Sequence, residues 1–159
     1  MKFINIGKIV NTHGIKGELR ILSKFRYKDK VFKKGMNLYV GKKKEKFTIN
    51  TYRFHKIFDM VTFNGFNNIN DVLYLKNEFV YINEEDLILD DDEFLSSNLI
   101  GFDVYIGKEN VGKVTEIIDT PANEVIKVNN ILVPYVKDFI NKIDKENKIL
   151  YVNDIRGLK

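Results

Sequence analysis

No cysteine occurs in this chain of 159 residues, so structural disulfides and thiolate metal sites are excluded. Only two histidines are present, His13 and His55, whereas zinc takes three or four ligands. Long apolar runs are missing too, and none approaches the roughly 18–20 residues of a membrane span. The N-terminal MKFINIGKIV is a strand-like run interrupted by Asn and Lys, without the cleavage site of a signal peptide, so a cytoplasmic location and no membrane partner are expected. No P-loop or dinucleotide fingerprint is present. The carboxylates of 90–93 lack the alternating spacing and glycine of a calcium loop, so no metal is expected.

The chain has enough apolar material to fold unaided, at 44% hydrophobic and 13% aromatic residues. Lysine outnumbers arginine 22 to 4, which looks like codon drift in an AT-rich genome, so lysine richness alone says little about nucleic acid. The sorting of charge says more. Residues 1–85 hold 17 Lys and Arg against 8 Asp and Glu, a balance of +9. Residues 86–159 hold 9 against 14, a balance of −5. Drift does not obviously sort sign between halves, so the halves are expected to meet different partners, a polyanion for the first and something basic or neutral for the second.

Nearly every apolar segment is short and β-branched or aromatic. Phe3–Val10, Glu18–Leu22, Asn37–Val40, Lys46–Phe54, Met60–Phe63 and Glu78–Ile82 predict six strands. Ile69, Val72 and Leu73 fall at helical spacing, with Asn68 as N-cap and Asn77 as stop. Six strands and one short helix suit a small closed barrel. Residues 84–98, acidic and aperiodic, read as a solvated linker after a first domain of 1–83. Leu99–Ile106, Val111–Ile118, Val125–Val128, Ile131–Val136 and Lys148–Val152 predict the strands of a second domain, 99–159. Asn129-Asn130 suits a two-residue hairpin turn, Pro134 an edge strand or a bulge, and Lys137–Ile143 a helical turn. The predicted fold is all-β, two small β-barrels in tandem.

The most informative stretch is GKIVNTHGIKGELRI, residues 7–21. Gly14 and Gly17 tolerate positive φ and allow a sharp return between two strands. The tip presents His13 and Lys16, with Glu18 and Arg20 on one side of the following strand. His13 can fix the turn or contact RNA, and a catalytic pair with Glu18 is the third reading. Lys42, Lys43 and Lys44 form a basic tip that either neutralises phosphates or is a solvated loop. Residues 24–34 interleave six basic residues with Phe25, Tyr27 and Phe32, which suits either a phosphate-tracking surface or rings filling a barrel.

Gly7, Lys8, Ile9, His13-Gly14-Ile15-Lys16-Gly17-Glu18, Leu19, Arg20 and Ile21 resemble the opening pattern of the bacterial ribosome maturation factor RimM family. The similarity continues through Phe63-Asn64-Gly65-Phe66 and the acidic Glu84-Glu85-Asp86-Leu87. Leu99-Ile100-Gly101, Gly112-Lys113-Val114, Ala122-Asn123-Glu124-Val125, Val133-Pro134-Tyr135-Val136 and Gly157-Leu158 then resemble a PRC barrel. The chain departs from the family at Ile69 and Leu73, where the helix often carries Arg and Glu. It departs again at Phe94-Leu95, where the family has an aromatic pair, and at Asn98, where it has Asp.

The resemblance implies a PRC-type second barrel and a non-enzymatic factor that binds the immature small ribosomal subunit and assists 16S rRNA maturation and head assembly. It implies 16S rRNA and the basic head ribosomal protein uS19 as partners, with no cofactor and a monomeric chain. Expected RNA- or ribosome-binding residues are Lys8, His13, Gly14, Lys16, Gly17, Arg20, Lys42, Lys43 and Lys44. Protein-partner contacts are expected at Phe94, Leu95, Pro134 and Tyr135. A general RNA-binding adaptor elsewhere in translation is the alternative, and a small hydrolase using His13 and Glu18 a further one.

Overall fold

The computed structural model describes residues 2–91, 93–120 and 124–154. They form two compact units that divide between Ile88 and Leu89. Ala122, Asn123, Gly157 and Leu158 of the motifs quoted above lie outside the described residues.

Six antiparallel strands close the first unit into a barrel: β1 (Phe3–His13), β2 (Glu18–Leu22), β3 (Asn37–Val40), β4 (Glu45–His55), β5 (Phe58–Phe63) and β6 (Phe79–Asn83). Their order around the barrel is β1-β2-β5-β4-β3-β6, with β6 returning to β1. All six expected strands are present. β1 and β4, at 11 residues each, outrun their predicted lengths. Register shifts at Asn5/Gly7, Ile9/Asn11 and Ile49/Thr51 bend them around the wall, as one extra residue does in a bulge. Alternate residues point inward, and Ile9, Leu19, Ile21, Leu38, Ile49 and Val61 are each fully buried there.

Two short helices complete this unit where one was expected. α2 (Ile69–Val72) begins at Asn68, whose side chain accepts from the amide of Asn70, and a single tighter turn follows at Leu73–Leu75. Asn77 then adopts φ 72°, a conformation asparagine tolerates, and the chain turns into β6. The additional helix, α1 (Lys28–Val31), is one turn with too few residues to show a period. Val31 and Phe32 from its end, and Val72 and Leu75 from the other segment, join the barrel core.

An ion pair ties α1 to the wall. Asp59, fully buried at the second position of β5, accepts from the Tyr52 hydroxyl at 2.6 Å through Oδ1. Its Oδ2 has no other hydrogen bond than the approach of the Lys28 ammonium at 3.0 Å. Burial, then the bond to Asp59, drives the Tyr52 hydroxyl well above the ordinary phenol range.

The second unit holds two sheets around one core. β7 (Asp103–Ile106), β8 (Glu109–Lys113), β12 (Ile140–Asp144) and β13 (Ile149–Val152) form a sheet of order β12-β13-β7-β8, in which β13 and β7 run parallel. β9 (Glu116–Asp119), β10 (Glu124–Val128) and β11 (Ile131–Pro134) form the other, of order β11-β10-β9. Leu99, Val104, Ile106, Ile126, Val128, Val133 and Leu150 lie between them, fully buried.

Three expectations for this unit change. The run Leu99–Ile106 is strand only from Asp103, because Ser96–Leu99 is a helical turn and Gly101 takes φ 92°. The run Val111–Ile118 divides where the chain changes sheet: the amide of Val114 donates to Phe102 at 2.9 Å and that of Thr115 to Lys127 at 3.0 Å. Lys137–Ile143 keeps only one turn, closed by the amide of Ile140 on the carbonyl of Val136, and β12 follows directly. Asn129, at φ 55°, turns Val128 back onto Ile131, and Pro134 ends the edge strand β11.

The acidic segment 84–98 is not solvated along its whole length. Leu87 packs on the first core, while Phe94 packs on the second and Leu95 and Ser96 are each 8% exposed. Each end of the segment therefore belongs to the unit it adjoins.

Candidate nucleic-acid interface

The β1–β2 tip is held by glycine chemistry. Gly14 and Gly17 adopt φ 67° and 87°, where a side chain is strained. A Cβ on Gly17 would collide with the carbonyl oxygen of Phe66, whereas one on Gly14 would meet nothing. The tip therefore rests on the segment entering α2, and the amide of Ile69 donates to the carbonyl of Ile15 at 2.9 Å. That bond satisfies the first orphan amide of the helix. Ile15, 74% exposed, and the exposed Lys16 stand clear of it.

Beside this tip the outer wall carries a lattice of cations. Arg20 of β2, Met60 of β5 and Arg53 of β4 lie in one register row. Val61 and Phe63 point into the core, so alternation turns Met60 outward, yet it is fully buried. Arg20 Nη2 donates to His13 Nδ1 at 2.6 Å. Guanidinium has no acceptor, so Nδ1 is the acceptor nitrogen here and Nε2 carries the ring's N–H. The rings of His13 and His55 are 6.1 Å apart, and the Arg20 guanidinium lies 5.7 Å from the Phe58 ring.

Arg53 clasps Glu18 through two bonds of 2.8 and 2.7 Å. The Arg53 hydrogen bond holds the Glu18 carboxyl below the ordinary carboxylate range. A carboxyl with a depressed folded-state pKa contributes stability above its unfolded value, and loses it as pH falls through the folded one. Glu18→Gln should therefore lower thermal stability slightly at pH 7, as removal of an exposed pair does. The difference from the unaltered chain should shrink steadily as pH falls from 4.5. A gap that persists undiminished in acid would assign the loss to packing.

The geometry takes apart the acid–base pair that was the third reading of His13. His13 accepts from Arg20 and Glu18 is bound to Arg53, so this carboxylate does not orient that imidazole. What the wall offers instead is a set of guanidinium and imidazole N–H groups fixed on three strands, suited to anionic oxygens.

The other expected residues lie apart from this lattice. Lys8 sits in the row Leu22–Lys8–Phe79, its ammonium 5.6 Å from the Phe79 ring. Lys42, Lys43 and Lys44 form the tip between β3 and β4, and β3 does not pair with β2. Lys44 takes φ 53° and lies 4.1 Å from the Tyr81 ring. Lys42 and Lys43 line an open groove that also holds Glu45, Tyr74 and Glu78. The Tyr74 hydroxyl bonds both Glu45 oxygens and is pushed up to about 12, by burial first and Glu45 second. Two carboxylates beside two lysines leave this loop a weaker phosphate trap than its sequence implies.

In the second unit, Leu95 and Tyr135 are 8% and 5% exposed, so they serve the core here. Phe94 is half-buried against Phe102 at 5.5 Å, with the Lys145 ammonium 5.2 Å from its ring. The Tyr135 hydroxyl donates to the carbonyl of Phe94 at 3.2 Å. Pro134, half-buried, ends the adjoining edge strand. Sequence reasoning missed Arg53 and Phe58 and set His55 aside. The one signal available was RFH inside a long strand, and only the β2-β5-β4 pairing carries those residues to Arg20. Among the described residues, no group of three or more His, Asp or Glu could hold a metal ion, and no helix is long and apolar enough to cross a membrane.

Comparison with known proteins matches residues 4–87 to the model of the RimM N-terminal domain and residues 96–158 to that of the RimM PRC barrel domain. The ribosome maturation factor RimM of Staphylococcus aureus strain JH9 is 37% identical over 163 residues, 98% of each chain. Among solved structures, a 16S ribosomal RNA processing protein RimM from Pseudomonas aeruginosa aligns over 96% of this chain and 97% of its own, at 20% identity and TM-score 0.49. The N-terminal domain of RimM from Thermus thermophilus aligns over 56% of this chain and 98% of its own, at 18% identity and TM-score 0.48.

Proposed function

The chain belongs to the RimM family, and from that premise we propose that it binds the immature small ribosomal subunit and assists 16S rRNA maturation and head assembly without catalysis. The observation that carries this reading is the outer-wall lattice of His13, Arg20, Arg53 and His55 beside the exposed Lys16. Arg20 is held by His13 and Arg53 by Glu18, so ribosomal RNA phosphates meet N–H groups that lose little freedom on binding. His13 and Glu18, the pair an acid–base enzyme would have needed, are each committed to an arginine.

Charge supports a division of labour. The first half, at +9, faces RNA, and the second, at −5, faces a basic head protein such as uS19. Opposite fields speed encounter and fix orientation more than they tighten the complex. The mechanism is that of a chaperone acting as a monomer: it holds an RNA–protein junction in an assembly-competent arrangement and then leaves. The docking pair inferred from the family, Phe94 and Leu95, is packed inward, so the partner's contact here is with the acidic surface and the exposed part of Phe94.

Sedimentation of a cell extract through a sucrose gradient tests the reading. The protein should ride with free small subunits and be scarce on finished ribosomes. Recovery only in the ribosome-free fractions would favour the general RNA-binding adaptor.

A further inference from the structure

Residues 24–34 carry six Lys and Arg against Asp29 alone, and residues 51–58 add Lys56, Arg53 there being already paired with Glu18. The fold brings the two segments together. The Lys28 ammonium is 5.5 Å from the Phe54 ring, and the rings of Phe32 and Tyr52 stack at 5.9 Å. The nearby Asp59 is fully buried and paired with Lys28, so it offers no negative charge to solvent.

Within residues 24–34, Tyr27 and Phe32 are buried and Phe25 is half-buried, which leaves no freely exposed ring in that basic run. The β4–β5 tip supplies what it lacks. Phe54 is 58% exposed and Ile57, three residues on, 63% exposed. A large ring left in water at a hairpin tip, with the Lys28 ammonium beside it and a basic run adjoining, is the pairing of features that a nucleic-acid strand covers.

We propose that the β4–β5 tip is a stacking platform for unpaired nucleotides of RNA, with Phe54 under a base and the cations of 24–34 and Lys56 on the adjoining phosphates. An unpaired nucleotide supplies a flat π face and an anion together. A duplex offers the anions but hides its base faces, so it would leave Phe54 and Ile57 in water. An acidic peptide offers charge without the face. The inference rests on the RNA-binding reading of this chain and deepens it by naming the RNA as locally single-stranded.

Fluorescence anisotropy of the full chain on a short labelled RNA strand, free and annealed to its complement, tests the platform. Phe54→Ala should bind the single strand about ten-fold more weakly and change duplex binding by less than about two-fold. Phe54→Trp should restore single-strand binding, and Phe54→Leu, apolar without a π face, should not. The idea is overturned if Phe54→Ala binds the single strand like the unaltered chain, if Phe54→Leu restores binding, or if both RNAs lose equally. It is overturned too if polyglutamate displaces the single strand as well as an RNA of equal charge does. The gradient position of the unaltered protein is read in parallel. Free-subunit association with any of these outcomes removes the platform and leaves the assembly role standing.

Discussion

Gly17→Ala should cost the first unit about 3 kcal/mol, while Gly14→Ala, three residues earlier in the same tip, should cost about 1. Both glycines hold positive φ, so both substitutions carry a backbone penalty. Only at Gly17 does the new Cβ also meet backbone, the carbonyl oxygen of Phe66, and backbone cannot swing aside as a side-chain end can. For a unit of this size the larger loss corresponds to roughly 12–24 °C in melting temperature. Thermal unfolding followed by circular dichroism reads both variants. Equal losses at the two positions would mean that the tip does not rest on the Phe66 segment. The consequence reaches the wall around Arg20, because Lys16 and Glu18 flank the residue that is displaced.

Lys28→Met should destabilise by roughly 2–3 kcal/mol, because it leaves the fully buried Asp59 carboxylate without its cation. Asp59→Asn should cost less. The Tyr52 hydroxyl can still donate to the amide oxygen, and Lys28, whose side chain is 32% exposed, keeps access to water. Combining the two should recover much of the loss, since no uncompensated charge then remains inside. A double-mutant cycle by urea unfolding measures this coupling. Strict additivity would show that the ion pair is not what fastens α1 to the barrel.

Much of the fold was legible because its signals are local. Glu18–Leu22 and Asn37–Val40 are short runs between turn residues, and their predicted and observed limits agree. Asn68 and Asn77 bounded the helix correctly because a cap and a positive φ are properties of single residues. The misreadings came from elsewhere. Phe139, Ile140 and Ile143 share a helical face on paper, yet pairing of β12 with β13 overrides that spacing. Val114 and Thr115 read as mid-strand, because nothing local marks a chain passing from one sheet to another.

The candidate site divides the same way. His13, Lys16 and Arg20 could be picked out because one hairpin holds them. Arg53 and His55 could not, being 33 and 35 residues beyond Arg20 and brought to it by strand pairing, Arg53 through Met60 and His55 through Phe58. Lys42–Lys44 looked stronger in sequence than in space, where Glu45 and Glu78 line the same groove.

The proposed contact is between the wall around Arg20 and the small subunit. The most direct measurement is the sucrose-gradient profile repeated with Arg20→Glu, after confirming that the variant melts within a few degrees of the unaltered chain. The unaltered protein should travel with free small subunits, and Arg20→Glu should shift to the top of the gradient. A variant that still rides with free subunits in full yield would contradict that contact.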